Sequence, residues 1–121
     1  MKSHKDLQIY KDAFALFLKV HSLSLQLPGY EKYELGSQLR RSADSVISNI
    51  VEGYGRKKYK SDFVRFLTYA HASNLETINH IEKINFLYRD LNAEFSTILE
   101  SYDKLGASLF RFIQYVEDNW R

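Results

Sequence analysis

The 121-residue sequence contains no cysteine, a single proline (Pro28) and five glycines. The absence of cysteine excludes disulfide staples, thiolate metal centres and thiol nucleophiles. So few turn formers rule out collagen-like chains and argue against a strand-rich fold. No apolar run is longer than the six residues from Ala13 to Leu18. That is too short for the core of a secretion signal or for the roughly 20 residues of a membrane span. The resulting expectation is a protein with no membrane partner and a cytoplasmic location. What is present is a composition of 45% hydrophobic, 15% aromatic and 26% charged residues, enough apolar surface to offset chain entropy. One domain covering residues 1–121 is expected.

Charge is unevenly spread although the net value is only +2. Residues 1–60 carry eleven Lys/Arg against six Asp/Glu, a balance of +5, whereas residues 61–121 carry six against nine, a balance of −3. Such asymmetry points to an anionic partner for one region.

Apolar residues recur at spacings of three and four, with no sustained two-residue alternation, so the spacing predicts an all-helical chain. A first helix, over about residues 7–26, carries Tyr10, Phe14, Phe17 and His21 beside Ala13, Leu16, Val20 and Leu23, with Asp6 as its cap and Leu27-Pro28-Gly29 as its stop. A second, over about residues 33–52, presents Leu35, Leu39, Val46 and Ile50; Glu31 and Glu34 suit its positive end, and Gly53 is placed to end it in a left-handed cap. Ser61 and Asp62 open a third that fades near Arg89. Asn92 caps a fourth, whose Phe95, Ile98, Tyr102, Leu105, Leu109, Phe112 and Val116 alternate strictly between spacings of three and four. Short connections favour antiparallel neighbours, hence an up-down-up-down four-helix bundle. Leu18, Leu25, Ile47 and Val51 exceed the needs of a bundle seam, and a homo-oligomer is the usual way to cover such a surplus. Gly36, Ser42, Ala43 and Ser45 make the second helix a site of close approach, within or between subunits.

The connection between the second and third helices, Glu52-Gly53-Tyr54-Gly55-Arg56-Lys57-Lys58-Tyr59-Lys60, is the segment richest in chemistry. Arg56, Lys57, Lys58 and Lys60 suit phosphate contact, and Tyr54 and Tyr59 are candidates for base stacking. In the expected topology Lys2, His4, Lys5 and Arg121 lie at the same end and extend one electropositive cap. The competing reading is a solvated hairpin that keeps the protein soluble.

Other chemistries lack their parts. Gly53-Tyr54-Gly55 has no third glycine, Lys58 standing in its place, and no Walker-type loop occurs. A di-metal bundle site needs paired Glu-x-x-His motifs; Glu76 and His80 are four apart and unrepeated, and read as a surface pair. His21 and His71 read as structural, hydrogen-bonded histidines. Asn49 and Asn74 read as specifiers of register, and one of Arg40 and Arg41 is expected to bind a carboxylate. The serines Ser37, Ser42, Ser45 and Ser48 lack an elbow, a base and an oxyanion hole. No metal, no cofactor and no catalytic residue is therefore assigned.

The run Pro28, Glu31, Tyr33, Leu35, Ser37-Gln38-Leu39-Arg40-Arg41-Ser42-Ala43, Ser45-Val46, Ser48-Asn49-Ile50 and Glu52-Gly53, ending in Gly55-Arg56, resembles the central motif of the four-helix-bundle proteins of 23S ribosomal RNA intervening sequences. That family is also called S23 ribosomal protein, and is similar to the accessory variability determinant proteins of diversity-generating retroelements. Asp6-Leu7, Tyr10, Ala13, Asp62-Phe63, Phe66-Leu67, Ala70, Ser73 and Glu76-Thr77 extend the match across about residues 5–90. Val51 in place of alanine, and His71-Ala72 before Ser73 in place of glycine, are departures that bear on local fit. The resemblance implies an antiparallel four-helix bundle assembled as a homopentamer, without catalytic activity and linked to nucleic acid.

Together these readings give an expected function: a non-enzymatic homo-oligomer that binds RNA or DNA through backbone charge at the basic hairpin. The alternative is a protein-interaction module with a partner protein, such as an accessory subunit of a reverse transcriptase.

Overall fold

A computed structural model describes residues 2–120. Among the described residues there are four α-helices and no strand: α1 (Gln8–Ser24), α2 (Leu35–Gly55), α3 (Lys60–Leu87) and α4 (Asn92–Asn119), with short 3-10 turns at His4–Asp6, Gly29–Lys32 and Arg89–Leu91. Consecutive helices lie side by side and α4 returns to α1, so α1 and α3 face each other across the diagonal. The interface between α2 and α3 is the most extensive, and that between α1 and α4 the thinnest. Cross-helix partners fix the antiparallel sense: Ser45 pairs with Ser73 and Ser42 with Thr77, residue numbers falling on one helix as they rise on the other.

The helical periodicity of the sequence places the core as expected. Val20, Leu39, Val46, Ile50, Phe63, Leu67, Ile81, Ile84, Phe95, Tyr102, Leu109 and Val116 are fully buried. Burying each Leu, Ile or Phe contributes roughly 1.5–3 kcal/mol, so the four facing stripes dominate stability. Of the surplus apolar residues, Ile47 is buried and Val51 packs against the same core, whereas Leu18 and Leu25 are about half exposed, at 54% and 48%.

Helix ends differ from the sequence-based expectation in three places. Gly53 is no left-handed cap: α2 runs on to Gly55, and Gly29 (φ 53°), in the Leu27-Pro28-Gly29 stop after α1, is the positive-φ glycine. Gly53 is instead a point of helix contact, where a Cβ would meet Phe66 Cβ at 3.2 Å, Phe63 Cδ1 at 3.3 Å and the Phe63 carbonyl oxygen at 3.4 Å. Asp6 does not cap α1; its carboxylate accepts from the backbone N–H groups of Lys2 (2.8 Å) and Ser3 (3.2 Å), closing the first turn, and those bonds hold its carboxyl below the usual carboxylate range. Asn92 is the first residue of α4 rather than its cap, and its Oδ1 accepts from Ser96 Oγ.

The pole carrying the α1–α2 and α3–α4 connections is tied by side chains. Arg40 Nη1 donates to Ser24 Oγ (2.8 Å) and Nη2 to the Lys32 carbonyl (2.9 Å), so its partners are a hydroxyl and a carbonyl rather than the expected carboxylate. Arg41 is exposed. Gly36 admits this guanidinium, which would lie 3.0 Å from a Cβ there, so the close approach at α2 is within one subunit. The buried Glu31 accepts from the Leu35 N–H (3.4 Å) at the positive end of α2, and from Tyr88 Oη (2.6 Å). Asn74 reaches the Tyr102 carbonyl at 2.9 Å, joining α3 to α4, whereas Asn49 bonds within α2 to the Ser45 carbonyl.

Gly53→Ala should destabilise the fold by about 1–2 kcal/mol because neither a backbone carbonyl nor a Cβ can yield. Gly55→Ala, with nothing within 4 Å of its Cβ, should stabilise by about 0.4–1 kcal/mol; paired denaturant melts decide both. The Glu31 hydrogen bond, with burial adding to it, raises the Tyr88 pKa to about 12. The stabilisation is complete below the ordinary tyrosine value near 10 and is lost as pH rises through about 12. In Tyr88→Phe this segment of the alkaline unfolding profile, followed by circular dichroism, should disappear.

Candidate nucleic-acid interface

Four residues, 56–59, connect α2 to α3, and this tight turn forces its side chains outward. The Arg56 N–H bonds back to the Glu52 and Gly53 carbonyls, and Tyr59 N–H to the Arg56 carbonyl at 2.9 Å. At the tip, the Lys57 carbonyl accepts from Trp120 Nε1 (3.1 Å), while the indole sits edge-on to Phe63, centroids 5.2 Å apart. The end of α4 thus clamps the hairpin. From the other side the His4 ring meets Tyr54 at 6.3 Å, bringing the first turn alongside. The convergence of both ends of the chain on the basic hairpin, expected from topology, is present for Lys2, His4 and Lys5; Arg121 lies outside the described residues.

The cations at this pole are not equivalent. Arg56 is flanked by Glu52 (3.3 Å) and Asp62 (3.8 Å), and its guanidinium lies over the Phe66 ring at 4.8 Å. Its charge is paired within the chain, although the side chain stays 48% exposed. Asp62 also holds Arg65 at 3.2 Å. The ammonium groups of Lys57, Lys58, Lys60, Lys2 and Lys5 have no carboxylate within 4.0 Å among the described residues. Lys58 is exposed, Lys57 and Lys60 partly so, and the Lys57 ammonium lies 4.2 Å from the centroid of Tyr54. Such ammonium groups are compact point charges suited to phosphate oxygens.

The two tyrosines also separate. Tyr54 is half-buried against the core, with His4 at its edge and Lys57 over its ring. Tyr59 is 61% exposed and offers an open ring face, with Lys58 Nζ 5.8 Å from its centroid. Sequence reasoning missed Trp120 as the hairpin's anchor, which leaves no signal because it is 63 residues away from Lys57. The neutralisation of Arg56 was partly visible in the four-residue spacing to Glu52.

The histidines depart from expectation. His21 is exposed and His71 only half-buried, and neither ring is hydrogen-bonded among the described residues; the buried histidine is His80, on which Glu76 closes to 3.6 Å. Glu76 is exposed but its partner is not, so the pair is no surface pair. Both His80 ring nitrogens are without a hydrogen bond. Among the described residues no set of three or more histidines and carboxylates converges.

Residues 5–111 match a family model described as 23S rRNA-intervening sequence protein. A comparison with curated proteins gave no match.

Trp120→Phe keeps a ring against Phe63 and removes the donor to Lys57. Loss of one such hydrogen bond should cost about 1 kcal/mol, with faster amide exchange confined to the hairpin. Unchanged exchange at residues 56–60 would show that the indole does not hold it.

Proposed function

Because this chain belongs to the 23S rRNA-intervening sequence protein family, we propose that it is a non-enzymatic, cytoplasmic homo-oligomer that binds nucleic acid through its sugar-phosphate backbone at the basic hairpin. The observation that carries this reading is the set of unpaired ammonium groups, Lys57 and Lys58 on the turn and Lys60 at the start of α3, beside Lys2 and Lys5. Phosphate contact by lysine is independent of base sequence, so positioning rather than base reading is the function assigned to them. Arg56 contributes by holding the turn through Glu52, Asp62 and Phe66, and Tyr59 supplies the stacking surface.

Self-association draws support from two separate apolar surfaces that flank α4. Leu18 and Leu25 stand out from α1, Leu18 in a groove against α4, and on the other flank of α4 Leu75, Ile78, Ala107 and Phe110 line a groove of about 320 Å³ between α3 and α4. Two different surfaces suit a head-to-tail ring better than a two-fold pair, which uses one surface twice. The same groove favours a second reading, a docking site for a partner protein, as in an accessory subunit of a nucleic-acid enzyme.

The test is filter binding at several salt concentrations. With about three phosphates contacted per subunit, Lys57→Ala/Lys58→Ala/Lys60→Ala should weaken binding to duplex DNA and make the log-log salt slope shallower by about 2.7 per engaged subunit. Equal affinity and slope in wild type and variant would refute the hairpin. A partner protein retained after nuclease treatment, with no direct binding, would select the second reading.

A further inference from the structure

One stripe of α1 carries chemistry that neither the core nor the hairpin uses. Tyr10, Phe14, Phe17 and His21 follow one another at spacings of four, three and four, and so share a face of the helix. Phe14 is 44% exposed and His21 is exposed, whereas Tyr10 and Phe17 rest half-buried against the core. The rings fall into two touching groups on this face, His4, Tyr10 and Phe14 with centroids 4.9 Å and 5.9 Å apart, and Phe17 with His21 at 6.0 Å.

Both ends of this ladder are cationic. At the hairpin end His4 meets Tyr54, whose ring lies beneath the Lys57 ammonium. At the other end Phe17 and His21 form one wall of a groove of about 370 Å³, with Arg40 and Arg41 on α2 opposite; Asp44 is its one acid and Ser37 its hydroxyl. Arg41 has no carboxylate within 4.0 Å among the described residues. A row of π faces with a cation at each end matches a strand that alternates flat bases with phosphates. A duplex stacks its bases on one another and shields their faces, so the complementary ligand is unpaired. From Tyr10 to Phe14, Phe17 and His21 the helix rises about 16 Å at ~1.5 Å per residue. That leaves room for roughly four or five nucleotides at ~3.4 Å each.

We propose that the aromatic stripe of α1 is a stacking platform for single-stranded nucleic acid, running from the basic hairpin toward Arg41. The proposal rests on the nucleic-acid reading above and specifies the strand class. Phosphates fix the strand at Lys57 and Arg41, and bases lie on Phe14 and His21 between them.

Fluorescence anisotropy with a labelled 12-nucleotide oligo-dA and a 12-base-pair duplex tests it. Phe14→Ala/His21→Ala, which removes two exposed side chains and leaves the core intact, should lower single-strand affinity about tenfold or more. Duplex affinity and the salt slope should stay as in wild type, because no lysine is lost, and Phe14→Trp should retain single-strand binding. Wild-type single-strand affinity in the double variant, an equal loss for duplex and single strand, or a change of oligomeric state by light scattering would each overturn the platform. If the lysine variants lose binding while the ring variants do not, the platform alone fails. If wild type binds neither probe, the hairpin reading fails with it.

Discussion

The closeness with which α2 and α3 approach each other governs this molecule. Gly53 lets Phe63 and Phe66 press against the backbone of α2, and farther along the interface small hydroxyl side chains replace bulky ones, Ser45 meeting Ser73 and Ser42 meeting Thr77. Each such hydroxyl is satisfied by its neighbour. Helices drawn this close can be joined by a short turn, and a short turn has no interior. Residues 56–59 therefore turn their side chains toward solvent, and the basic pole is a by-product of the core geometry.

Electrostatics then sorts the outward cations. Arg56, nearest the helix ends, is engaged by Glu52, Asp62 and the Phe66 face, which ties it to the helices that flank the turn. Exposed pairs of this kind are each worth little in stability; their effect here is to fix where the lysines stand. Trp120 does the same from the far end of the chain. A binding surface made from a rigid turn loses less conformational entropy on engaging phosphate than one made from a mobile tail.

Much of the fold was legible because it rests on local rules. The three-and-four spacing gave four helices, the Leu27-Pro28-Gly29 stop was found where expected, and Phe95, Tyr102 and Phe112 proved to be core or core-flanking. What escaped was long-range. Gly53 could be a cap or a contact, since glycine serves both, and only the position of α3 decides between them. Arg40 invited a carboxylate, yet its acceptors are a hydroxyl on α1 and a carbonyl in the connecting turn. His80 sat in a pattern that looked exposed because α3 buries a wider face than a simple stripe. At the candidate interface, composition identified the basic segment but could not separate the paired charge of Arg56 from the free charges of Lys57, Lys58 and Lys60. Nor could it distinguish the packed ring of Tyr54 from the open ring of Tyr59.

The Arg40 fork has a wider meaning for how this chain tolerates change. Its two terminal nitrogens lie in one plane and address two acceptors at once, so the bend between α1 and α2 is gauged by a flat, inflexible template. An ammonium at that position would supply the same charge yet lack the second, coplanar donor, leaving the Lys32 carbonyl or the Ser24 hydroxyl without its mate. Substitution at this bend is thus limited by shape before charge, and Arg40→Lys would keep the charge yet lose one of the two contacts.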